Sequence, residues 1–230
     1  MNEERCRQLI DRGGWHEDAV LGKCCFPIGP RNTYSNIAYI LMAIFIIWFD
    51  YKFIEMPTFL GKISFSTIIM ALSMTMLGIG STLYHGTKRV WAQKLDNSGM
   101  YAVFTSLVIF GVVPSTSPVL AGLMAVMSGF LAWRYTYKLK GVPLDDMMGL
   151  LLAISLLRPL FEGNRILALI AFSIFGLSYI SWQLDKRGGK IVGLMGHAYW
   201  HIGTAIAIAL TYLSQVPLTY IPLFSFLTLK

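Results

Sequence analysis

The sequence predicts an all-α, polytopic membrane protein folded as a bundle of seven transmembrane helices. Three observations predict it. Hydrophobic residues make up 55% of the 230-residue chain and charged residues only 13%, whereas a soluble domain carries roughly 25% charged residues. Apolar runs of the roughly 20 residues that a helix needs to cross about 30 Å of hydrocarbon recur almost end to end. Between the runs lie short clusters of Gly, Pro, Lys and Arg, the composition of loops that flank membrane spans.

Residues 1–32 form a polar N-terminal segment. This stretch has no apolar core of the kind a cleavable signal peptide needs, so the first span is expected to act as the insertion signal. That span runs from about Thr33 to Phe49, the second from Ser64 to His85 and the third from Lys94 to Val113. The Pro114 to Pro118 turn precedes a fourth span ending near Tyr137. A fifth starts after Pro143, a sixth near Asn164, and a seventh runs from Ile191 to Leu213, so that 33–214 make one membrane domain. In the tail, 215–230, Pro217 and Pro222 interrupt the apolar run and leave too few residues for an eighth crossing. The tail is expected to lie along the membrane surface.

The net charge of +7 does not signal a nucleic-acid partner, because the basic residues are scattered through short loops beside apolar spans instead of forming one patch. Counted over alternate loops, fourteen of them fall on the N-terminal side and five on the other. Basic loops stay in the cytoplasm, which predicts a cytoplasmic N-terminus. Cys6, Cys24 and Cys25 all lie in the polar segment, without zinc-ribbon spacing, and carry no assignment. His16, among acids in the same segment, reads as a solvated side chain.

The other three histidines sit in or at the ends of apolar spans. His197 and His201 are four apart, hence on one helix face and able to point at one metal ion. Ser81 and His85 share the same spacing. Asp96 follows His85 by eleven residues, after a predicted loop GTKRVWAQK. With seven spans, the second ends, and the third and seventh begin, on the same side of the membrane, so Ser81, His85, Asp96, His197 and His201 reach one depth. Any one of them alone has an ordinary explanation, such as a hydrated helix end or a chance H-x-x-x-H. Together they place ionisable groups where burial costs several kcal/mol each unless they pair or bind, the mark of a functional site. Three imidazoles with an open fourth position match a catalytic zinc centre, not a closed structural one. Asp96 can then orient a ligand histidine or serve as general acid and base. Asp145 and Asp146, in the first turn of the fifth span, are explained by the helix dipole. Arg158 and Glu162 read as an i,i+4 pair.

The stretches RNTYSNIAYIL, GIGSTLYHGTKRVWAQKLDNSGMY and GHAYWHIGTAIA resemble the three signature regions of the alkaline ceramidases, part of a seven-helix hydrolase superfamily that includes adiponectin receptors and hemolysin III proteins. The resemblance implies Zn2+ held by His85, His197 and His201, with Ser81 and Asp96 completing a catalytic site. It further implies a ceramide-like membrane lipid as substrate, cleaved at its amide to a sphingoid base and a fatty acid. Another branch of the superfamily implies a different reading, a receptor-like or hemolysin III-like membrane protein with a structural or signalling zinc. Asn32, Ser35 and Asn36 match the family's N-T-x-S-N opening of the first span, where capping and interhelical hydrogen bonding explain them. Two features depart from the family. Gly29 stands where animal ceramidases place a calcium-binding glutamate, so a calcium site is not carried over. Animal ceramidases also place the N-terminus on the luminal or external side, opposite to the side that the loop charges predict here.

Overall fold

The computed structural model describes residues 26–53, 63–112, 117–135, 151, 154–155, 159–161, 164–186 and 195–215. Its elements are α-helices, and no strand occurs among the described residues. In chain order they are α1 (Pro30–Ser35), α2 (Ile37–Phe53), α3 (Phe65–Thr87), α4 (Val90–Val112), α5 (Pro118–Tyr135), α6 (Arg165–Lys186) and α7 (Gly196–Gln215). Three stretches are long and apolar enough to cross a membrane by length and composition: Pro30–Phe53, Phe65–Thr87 and Arg165–Asp185. The apolar helix Val119–Tyr135 is shorter. Of the predicted fifth span, only Leu151, Ile154, Ser155, Pro159, Leu160 and Phe161 are described, each of them helical.

Local chemistry sets the helix ends. Pro30 opens α1, where its fixed φ suits the first turn and its missing N–H is no loss. At Asn36 the helix breaks between α1 and α2, and the Asn36 side-chain amide donates to the Asn32 carbonyl at 2.7 Å. Ser64 caps α3 by accepting from the Thr67 N–H at 3.2 Å. The Ser64 N–H in turn donates to the buried Asp50 carboxylate at 2.6 Å, which ties the end of α2 to the start of α3. Asn164 caps α6 through the Leu167 N–H at 3.1 Å.

The predicted loop GTKRVWAQK is mostly helix. Gly86 and Thr87 complete α3, Val90 already begins α4, and only Lys88 and Arg89 join them. The physical reason is that V-W-A-Q-K contains no helix breaker, and its Lys and Gln are good helix formers. Asp96 therefore lies inside α4, not at its opening. Lys88 makes the reversal possible in a left-handed conformation (φ 51°) and donates its N–H to the Tyr84 carbonyl at 2.7 Å, the usual way to close a helix end.

Helix α3 packs along α4, α4 on α5, and α6 on α7, while α7 also rests against α1, α2 and α4. The α3–α4 contact is close because of Gly80. A Cβ there would stand 2.7 Å from the Asp96 nitrogen and 2.8 Å from the Leu95 carbonyl carbon, so the two backbones touch only because glycine has none. This approach brings Ser81 beside Asp96. Between α6 and α7, Trp182 stacks on Trp200 with ring centroids 5.5 Å apart. Met70, Met74, Leu107 and Ile208 fill the centre, whereas Leu72, Val126, Phe130, Phe172 and Leu177 face outward. Apolar residues inside and outside together are what a bundle in lipid requires.

Candidate metal centre

His85 projects from the end of α3, and His197 and His201 project one turn apart from the start of α7. All three are 2–3% exposed. Their candidate ligand nitrogens lie within 4.8 Å of one another. The three ring centroids form a compact triangle with sides of 4.7, 4.8 and 4.4 Å. The fold thus closes the sequence distance of more than a hundred residues between His85 and the α7 pair.

The donor set fits a metal ion. The Nε2 atoms of His85 and His197 stand 3.1 Å apart. Two nitrogens bound to one tetrahedral zinc at about 2.0–2.1 Å would stand roughly 3.3 Å apart. His201 offers the third nitrogen, and its ring is held from behind. Its Nδ1 lies 2.8 Å from Ser35 Oγ, and that hydroxyl donates to the Asn32 carbonyl at 3.1 Å. The serine has one proton: given to Asn32, it leaves the hydroxyl to accept from the His201 Nδ1–H, the tautomer that frees the Nε2 lone pair for a metal, whereas given to Nδ1 it selects the other tautomer.

The sequence reading assigns Ser35 to capping and interhelical bonding; the interhelical part holds, and its partner is the ring of a candidate ligand, His201. Ser35→Ala is expected to weaken metal affinity by about 10–100-fold while the helices persist. Competitive zinc titration with a chelator of known affinity checks this, and unchanged affinity would remove Ser35 from the centre.

Ser81 lies one turn before His85 on the same face of α3 and is buried, as is Asp96 on α4. A side-chain hydrogen bond joins the two. Lys88, which the sequence reading counts among loop charges, is 1% exposed and sets its ammonium 5.3 Å from the centre of the Tyr84 ring. Its charge acts on His85, His201 and Asp96. No helical spacing announces it, because Lys88 is the left-handed cap just past the end of α3.

No protein-family model matches this chain, and no curated protein matches it. His16, Cys6, Cys24, Cys25, Asp145, Asp146, Arg158 and Glu162 lie outside the described residues, as do most of the loop charges counted for orientation.

Proposed function

We propose that this protein is a seven-span, zinc-dependent amidase of membrane lipids, hydrolysing ceramide-like amides to a sphingoid base and a fatty acid. The observation that carries the reading is three buried imidazoles converging from α3 and α7 next to a hydrogen-bonded Ser81–Asp96 pair. The resemblance of the three signature stretches to alkaline ceramidases supports it.

His85, His197 and His201 would hold the zinc, which when bound supplies a Lewis acid for a carbonyl and an acidified water. Asp96 is the proton carrier, accepting a proton on its carboxylate and returning it to the departing nitrogen, which must leave as a neutral amine. The Ser81 hydroxyl, bonded to that carboxylate, keeps it in position. Burial excludes bulk water, which strengthens each of these interactions. The apolar exteriors of α3, α5 and α6 keep the centre within reach of lipids.

The test is fatty-acid release by purified protein from a panel of labelled ceramides, phytoceramides and N-acyl amino lipids. Release that stops on chelation and returns with zinc is the expected result. A zinc-loaded protein that cleaves none of them would refute the amidase and favour the receptor-like reading of the same fold.

A further inference from the structure

The end of the bundle opposite the three histidines holds a second buried polar cluster. Asp50 lies in the last turn of α2, Ser64, Ser66 and Thr67 at the start of α3, and Tyr212 near the end of α7. From Ser66 to His85, α3 runs about 28 Å at roughly 1.5 Å per residue. Four hydroxyls close a ring here. Ser64 Oγ lies 2.7 Å from Thr67 Oγ1 and 3.2 Å from Ser66 Oγ, while Tyr212 Oη lies 2.8 Å from Thr67 Oγ1 and donates to Ser66 Oγ at 3.2 Å. Four contacts use four protons, one from each hydroxyl, so none remains for the carboxylate whose charge acts on Tyr212.

That carboxylate, Asp50, is 1% exposed. Its Oδ2 accepts the Ser64 N–H at 2.6 Å, a short bond of the kind an ionised carboxylate makes. Its Oδ1 is buried without a hydrogen-bond partner. Lys52 in the same turn is exposed and sets its ammonium 5.9 Å from the centre of the Tyr51 ring, so it does not neutralise Asp50. The last carbonyls of α2 add negative partial charge at this end of the helix. A buried charge of this kind calls for a counter-charge.

We propose that Asp50 and the hydroxyl ring form a binding site for one sodium-like monovalent cation, at the end of the bundle away from the three histidines. The charge count sets the valence, since one carboxylate balances one positive charge, whereas a tight calcium site gathers more anionic ligands. The donors fit as well: carboxylate and hydroxyl oxygens are hard ligands that suit hard cations. With each hydroxyl donating once and accepting once, Ser66, Thr67 and Tyr212 keep a free lone pair each, while Ser64 also accepts the Thr67 N–H at 3.2 Å. Because the cluster draws on α2, α3 and α7, a bound cation fastens three helices at one end, two of which carry the histidines at their other ends. The proposal is independent of the amidase reading.

Two measurements on the full-length protein, purified without sodium in detergent micelles, test it. The first is equilibrium binding of radioactive sodium ion. Wild type should show a single saturable site, Asp50→Asn should lose it, and Tyr212→Phe, which keeps the carboxylate and most of the packing, should weaken it several-fold. No sodium binding to wild type, or binding at full affinity in both variants, would overturn the proposal. The second is thermal unfolding in sodium chloride and in choline chloride at equal ionic strength. A cation bound only by the folded state raises the unfolding temperature, so wild type should unfold several degrees higher in sodium, and the difference should shrink in Tyr212→Phe and vanish in Asp50→Asn. Tyr212→Phe carries both measurements if Asp50→Asn does not fold. Equal unfolding temperatures in the two salts would overturn the site. A wild type indifferent to sodium, but stabilised on acidification in a way that Asp50→Asn abolishes, would assign a proton to Oδ1 and overturn the cation.

Discussion

Replacing any one of His85, His197 or His201 by alanine is expected to reduce zinc from about one ion per chain to a small fraction of that, and to abolish hydrolysis with it. The expectation follows from geometry. Among the described residues each ring is one of three candidate donors, and a two-donor remnant binds zinc far more weakly than a three-imidazole centre. Because metal binding adds to the stability of the folded state, the zinc-dependent rise in thermal unfolding temperature should also disappear in each variant. Zinc analysis of purified, folded samples checks this. Full occupancy in all three variants would mean that these residues are not the ligands.

Asp96→Asn should behave differently. Asparagine keeps the size of the side chain and can still bond Ser81, yet it has no basic oxygen to carry a proton. Zinc content and fold should therefore persist while turnover falls by about a hundredfold or more, the scale of lost general acid–base catalysis. Ser81→Ala should cost less, because the carboxylate itself remains. Turnover and zinc must be measured on the same samples, so that loss of metal is not read as loss of chemistry. Wild-type activity in Asp96→Asn would leave hydrolysis in place with another proton carrier.

Much of this site is legible in the residues alone. The i,i+4 pair on α7 and the position of His85 at the end of an apolar run put the three imidazoles at one depth, and the folded helices bring them together. Among the described residues, helix boundaries follow the same apolar runs to within a few residues, except where polar helix formers continue a helix past its apolar part, as in V-W-A-Q-K before Asp96. The residues around the triad are harder to read. Ser35 stands in a run of capping residues, which gives it a sufficient local explanation, and only the fold shows that the hydroxyl meets His201. Lys88 lies between two apolar runs, where a basic residue reads as a topology signal, although its side chain is buried against Tyr84. Gly80 carries no pattern at all, since its role is a contact between two backbones that sequence periodicity does not encode.

The claim on which the rest depends is that three histidines hold one zinc, and the most direct test is X-ray absorption at the zinc edge of the purified wild-type protein. The account predicts about one zinc per chain, with scattering from imidazole nitrogens at about 2.0–2.1 Å and no sulfur shell. A sulfur shell at about 2.3 Å, which would place the metal on Cys6, Cys24 or Cys25, or a protein that retains no zinc, would contradict it.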